Sequence, residues 1–245
     1  SLVVKSFGRY LEAELARGSI LLLNEIPDSS PNLPFLRTQL AAKNTISIET
    51  TVACATLKLP PTWEEYLGWL RPRFRTKVRS ILRRFEGYPE VRFGFCADPE
   101  HVRRMLPVLY DLHTRRWAQE GLPGVFRWER KREFYETLSP VLLQRDWLRF
   151  SWMEWGGHVL ACQYGFAYGG KYFLLQEGYE PASAHWSPGI ALRAWTIREC
   201  LREGLREYDF LAGVGRHKLE WGAEVKQSRR FEIAGASLGN ALYCR

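Results

Sequence analysis

Apolar positions along this chain switch between two spacings. Phe74, Val78, Ile81, Leu82 and Phe85 recur at helical intervals, as do Val102, Met105, Leu109 and Leu112, and again Ile190, Ala194, Ile197 and Leu201. Between them lie short β-branched and aromatic runs bounded by Gly and Pro, the pattern of strands. The N-terminal stretch predicts helices over Lys5 to Ala16 and Phe35 to Lys43. Strands are predicted over Ser19 to Glu25 and Asn44 to Lys58, with a Pro/Ser-rich connection from Ile26 to Pro34. Leu59-Pro60-Pro61-Thr62 is the strongest punctuation in the chain and sets the expected domain boundary, residues 1–60 against 61–245.

Beyond that boundary Thr62 is placed to cap a helix from Trp63 to Phe85. A strand over Val91 to Cys96, a helix opening at Asp98-Pro99, and a helix around Trp128 to Leu143, bent or split at Pro140, come next. Strands then follow from Trp147, with a Gly169-Gly170 turn joining two of them. Trp186-Ser187-Pro188-Gly189-Ile190-Ala191 opens another helix, and a short strand runs over Tyr208 to Leu211. Helices interleaved with strands around an antiparallel hairpin describe a mixed α/β sheet, not a Rossmann order.

The two-residue turn fixes a register. Tyr168 faces Lys171, and counting back places Gln163 opposite Gln176 and Cys162 opposite Glu177. Two glutamines would then share a face otherwise lined by small or apolar residues, either bonded to each other or lining a substrate pocket.

Composition narrows the classes. The chain has 245 residues, 46% of them hydrophobic, enough for one large core or two modest ones. Five cysteines without CxxC pairing fit a reducing cytosol, and no apolar run approaches the length of a membrane span. A net charge of +8 favours polyanions: nucleotide phosphates, RNA or an anionic membrane face. Much of it lies between Arg71 and Arg84, which reads as a solvated helix face or as an anion-binding surface.

Several familiar patterns fail on context. Gly235-Ala-Ser237-Leu-Gly239 matches a nucleophile elbow, but no Asp or His follows to complete a triad. Gly165 to Lys171 matches most of a Walker A loop, yet Tyr172 replaces its Ser/Thr and a strand follows. Gly213-Val-Gly215 lacks a third glycine, and the five histidines show no metal-ligand spacing, so no metal is expected.

Three stretches carry a family resemblance: Phe74 to Glu86; Tyr179-Glu-Pro-Ala with Trp186-Ser-Pro-Gly189; and Tyr208-Asp-Phe-Leu211 followed by Lys218-Leu-Glu-Trp221-Gly222. Together they resemble the Gcn-type N-acetyltransferase (GNAT) superfamily, in particular the bacterial branch grouped with CelD proteins of cellulose biosynthesis and related to FemABX-type peptidyltransferases. The resemblance implies a mostly antiparallel mixed sheet flanked by helices, with residues 1–60 as the C-terminal part of a preceding related domain. It implies acyl transfer from acetyl-CoA or another acyl-CoA to an amine or hydroxyl acceptor.

On the family's phosphate-binding turn, Gly189 and Ala191 match, and the N–H groups of Gly189, Ile190 and Ala191, behind Ser187, would seat the pyrophosphate. Trp186 stands where the family has Gln or Arg. An acidic pair usual before the Lys and Trp is replaced here by Ala212 to His217. Glu177 is then the expected base and Tyr179 the acid, with an oxyanion-stabilising N–H near Gly178. Lys218 would hold an anionic part of the substrate, and Trp221 would line its pocket with Gln163 and Gln176. Asp209 is expected either in an ion pair with Lys218 or Arg216 or in the chemistry. The FemABX relation adds an alternative, aminoacyl-tRNA as donor gripped by the Arg71 to Arg84 helix, and loss of the acidic pair adds another, a non-catalytic binding or scaffold domain.

Overall fold

The computed structural model describes residues 2–40 and 45–235. Ser237, Gly239 and Cys244 lie outside the described residues, as do the expected end of the second helix and start of the second strand at 41–44. The described chain is mixed α/β, with eight strands, mostly antiparallel, flanked by helices. It divides into two compact units. The division falls after Ala55, and residues 212–215 and 225–235 group with the N-terminal block.

The first unit holds α1 (Leu2–Ala16), β1 (Ile20–Pro27), α2 (Leu33–Leu40), most of β2 (Thr45–Lys58), and nearly all of the last strand, Glu224–Gly235. Leu11 and Leu15 of α1 and Leu33 and Leu36 of α2 pack on Phe231 and Ile233 of that strand. Helical spacing on one side and alternation on the other bring these six residues into one apolar layer.

In the second unit the expected long helix from Trp63 is two. Thr62 does cap α3 (Trp63–Trp69), its hydroxyl accepting from the Glu65 amide, but α3 ends before Leu70 and α4 runs Pro72–Glu86. Pro72 accounts for the break: the residue before a proline is driven from helical to extended backbone, and Arg71 has ψ 138°. Then come β3 (Val91–Phe95), α5 (Pro99–Gln119), a short 3₁₀ turn, α6 (Glu129–Gln144), β4 (Leu148–Trp155), β5 (His158–Tyr168) and β6 (Lys171–Tyr179). α6 continues through Pro140 as one element. After a 3₁₀ segment at Pro181–Trp186 the chain forms α7 (Pro188–Arg202), β7 (Glu207–Ala212) and the five-residue α8 (Arg216–Glu220), followed by the last strand, β8.

Strand order in this unit is β7-β6-β5-β4-β3. Ile81 and Phe85 of α4 and Ala191 and Leu192 of α7 cover one face, against Met153 and Ala161. Leu109 of α5 and Tyr135 of α6 cover the other, against Phe150 and Tyr164.

The hairpin register corrects the expected glutamine pair. Tyr168 does face Lys171, but the pairing slips between Tyr164 and Gly165, leaving one extra residue in β6. A bulge of this kind sends every residue beyond it to the other face. Gln163 therefore sits opposite Glu177, and Cys162 opposite Gly178. Gln176 pairs with Tyr164 on the α6 face, where its side chain bonds Tyr135.

Candidate active site

β6 and β7 run parallel for three paired residues only, Lys171 to Phe173 against Glu207 to Asp209. Past that point β6 continues to Tyr179 without β7 beside it, and a cavity of about 220 Å³ opens there. β5 contributes Gln163; β6 contributes Glu177, Gly178 and Tyr179; α7 contributes Gly189, Ile190 and Arg193; α5 contributes Arg116 and α8 His217. The volume is below the usual range for a whole drug-sized ligand, so it suits the reacting end of a larger molecule.

Glu177 is the electrostatic centre. Gln163 Nε2 donates to its Oε2 at 2.8 Å, and Arg193 Nη2 reaches both of its oxygens. Burial raises the carboxyl pKa, but Arg193, with Arg116 and the Gln163 amide, overrides this and holds it at about 2. The carboxylate is therefore ionised at neutral pH and already matched by Arg193. Arg193 is buried in turn, its guanidinium lying over the rings of Phe210 and Trp221 at 5.4 and 5.6 Å. An unpaired cation there would cost several kcal/mol, which Glu177 offsets.

A second layer fixes the pair. The Tyr208 hydroxyl lies 3.5 Å from Gln163 Oε1, and the Glu177 carbonyl oxygen is 3.1 Å from His113 Nδ1. Gly178 lets α5 approach: a Cβ there would meet the His113 nitrogen at 2.7 Å and Leu112 Cβ at 2.8 Å. Cys162 borders the cavity, but burial pushes its thiol far above the ordinary value, so it is no nucleophile at neutral pH. His217 stands at the open side with its pKa lowered, by partial burial first and by Arg193 and other nearby cations. It is a neutral base at pH 7, in contact with water.

The start of α7 departs from a simple Ser/Pro cap. Ser187 is in the left-handed region, φ 61° and ψ 49°, and its hydroxyl caps nothing. Its carbonyl oxygen instead accepts from the amides of Ile190 and Ala191, at 3.1 and 3.2 Å. Two of the three expected phosphate donors are thus turned inward, and Gly189, against the Tyr179 ring, is the remaining one. Trp186 is locked by Arg84, whose Nη2 donates to its carbonyl at 2.6 Å while the guanidinium lies 4.8 Å from its ring.

Of the residues singled out from sequence, Glu177, Tyr179, Gln163, Ser187, Gly189 and Ile190 meet at this cavity. Ala191 and Trp221 are buried behind it: Trp221 packs edge-on against Phe74, and its carbonyl accepts from the Tyr66 hydroxyl. Gln176 is on the opposite face. Asp209 accepts from the Leu211 amide, and Lys218 donates to the Phe210 carbonyl at 2.9 Å, both outside the cavity wall. Arg193, Arg116 and His217 were not anticipated. Only Arg193 had a visible signal, a charge between Ile190 and Ile197 on the apolar stripe of its helix.

Comparison with known proteins follows the same outline. A family model described as an acetyltransferase (GNAT) domain matches residues 72–219. FemX aligns with TM-score 0.69 at 12% identity, over 99% of this chain and 77% of its own. The C-terminal domain of a protein named as a lysylphosphatidylglycerol synthetase from Agrobacterium fabrum aligns with TM-score 0.60 at 10% identity, over 98% and 75%. A GCN5-related N-acetyltransferase from Kribbella flavida aligns with TM-score 0.51 at 12%, over 97% and 77%. At these identities the likeness is one of fold. No curated protein matches the sequence.

Proposed function

This chain belongs to the acetyltransferase (GNAT) domain family, and from that premise we propose that it transfers an acyl group from acyl-coenzyme A directly to an amine or hydroxyl acceptor. The cavity where β6 parts from β7 carries the reading, because it joins a strand end, a glycine-bearing helix start and a neutral base. The donor is a substrate whose thioester end enters this space, with its phosphates at the Gly189 turn. Only part of the expected amide cradle is available there, so Gly189 shares that load with Arg116, which lines the same cavity.

In the transfer, the acceptor nitrogen or oxygen forms its bond to the carbonyl carbon as the carbon–sulfur bond breaks. A backbone N–H at the Gly178 end of β6 steadies the oxyanion. His217 takes the acceptor's proton, and Tyr179 returns one to the departing thiolate. The base role expected of Glu177 passes to His217 in this scheme. A carboxylate held at about 2 is a poor proton acceptor, and Glu177 serves instead to keep Arg193 and Gln163 in place.

A thermal-shift screen tests the proposal. Acetyl-CoA or a longer acyl-CoA at 100 times its Kd stabilises the protein by about 2.7 kcal/mol. Stabilisation by aminoacyl-tRNA and by no CoA species moves the donor to tRNA. Silence toward both leaves a binding module without transfer chemistry.

A further inference from the structure

The apolar stripe of α4, Val78, Ile81, Leu82 and Phe85, is buried, and its outer face is left to solvent. At 100° per residue that face resolves into two ridges. Arg75, Arg79 and Arg83 follow one another at i+4 spacing along the first; Arg73, Lys77 and Arg84 form the second. Between them runs a strip of small hydroxyl residues, Thr76 and Ser80, in a shallow furrow bordered by Arg79, Arg83 and Arg84. The helix's one carboxylate, Glu86, is bound by Arg198 of α7 at 2.5 Å. None of the six cations has a carboxylate partner among the described residues, whereas elsewhere Arg115 of α5 pairs with Asp111 and Glu180, and Arg149 of β4 with Glu203. A row of like charges along one helix repels itself, so an external anion lowers the energy of this face.

Shape and surroundings separate the candidate anions. The cations project from the exposed back of a single helix and border only a shallow furrow one helix wide, and α4 itself offers no exposed aromatic platform on which bases could stack. Two residues before its N-cap, Trp69 keeps 59% of its surface exposed at the end of α3. An exposed amphipathic ring close in sequence to a cationic helix is a combination found at membrane interfaces, where the ring sits at headgroup level and each Lys or Arg is attracted to anionic lipid. No described helix is long and apolar enough to cross a membrane.

We propose that the outer face of α4, with Trp69, seats this protein on an anionic lipid surface. Arg84 ties that face to the site, since the same side chain bonds the Trp186 carbonyl one residue ahead of the strained Ser187. Docking would then bring the open cavity to substrates presented at the lipid surface, while binding itself stands independently of the proposed chemistry.

The test is sedimentation of the whole chain with phosphatidylcholine vesicles, with and without phosphatidylglycerol. Binding is expected only with the anionic lipid, falling as salt rises and the charges are screened. Each cation removed should weaken partitioning about 5-fold, so Arg79→Gln with Arg83→Gln should cost about 25-fold. Both positions are exposed, and an unchanged thermal melt shows that the variant folds. Trp69→Ala, a second and uncharged variant, should weaken binding at constant charge. Equal binding to neutral vesicles, or no effect of the double substitution, overturns the proposal. So does tight binding of a single-stranded RNA that is lost in the double variant while vesicles are ignored, which would assign the face to nucleic acid.

Discussion

Arg193 reaches both carboxylate oxygens of Glu177 through a single nitrogen, Nη2, from one helix turn inside α7. The pair exists because a bulge in β6 turned Glu177, not Gln176, toward the helix. Its stability consequences are direct. Glu177→Gln leaves a buried guanidinium without its counter-charge, and breaking such a pair from one side costs about 3 kcal/mol, the low end of the range, because Glu177 keeps 22% of its side chain accessible. Replacing Arg193 by Leu in the same protein removes the orphan and should recover most of the loss. Urea denaturation of the two single variants and the double checks this; additive losses would refute the coupling.

Acid should expose the same pair. With an ordinary value of 4.5 and a folded value of about 2, Glu177 gains its proton first in the unfolded chain as pH falls. The stabilisation is complete above pH 4.5 and is lost as pH falls through about 2, a total of about 3 kcal/mol. Denaturation midpoints followed across that window should fall more steeply for the wild type than for Glu177→Gln. Parallel curves would show that the carboxyl titrates normally.

His217 should set the acid limb of turnover. Its pKa lies below 6.5, so the transfer rate is expected to drop only below that value. His217→Gln should lower kcat by about 100-fold, abolish that limb and leave the KM for the donor nearly unchanged. A pH–rate profile with its acid limb intact in the variant would move the base elsewhere.

Gly178→Ala tests the seam between β6 and α5. The added methyl meets backbone at 2.7 Å, which cannot rotate away, so a loss of about 3 kcal/mol is expected, at the upper end of overpacking. Gly68, with nothing near its Cβ position, is the matched control. Gly68→Ala should be no less stable than the wild type by thermal melting.

How far these features are legible in the sequence differs by element. α5 is plain because Val102, Met105, Leu109 and Leu112 recur at alternating intervals of three and four and all are buried. The break at Pro72 is missed, since one helix is expected from Trp63 to Phe85, although the proline that causes it stands in the sequence. The β5–β6 turn fixes its nearest pairs correctly, yet periodicity has no means of announcing an extra residue several positions later. That single slip hides the site, since it decides whether Gln163 meets an amide or a carboxylate. Arg193 is legible as an oddity on an apolar face; Arg116 and His217 are not, because only the tertiary fold brings α5 and α8 to the strand ends.

Ser187 leaves one further consequence. A serine held at φ 61° carries about 1 kcal/mol of backbone strain that glycine would not, so Ser187→Gly is among the simplest routes to a more heat-tolerant protein. It would also loosen the turn that aims Pro188 and Gly189 at the cavity. Selection for thermal endurance and selection for activity therefore pull this one position in opposite directions.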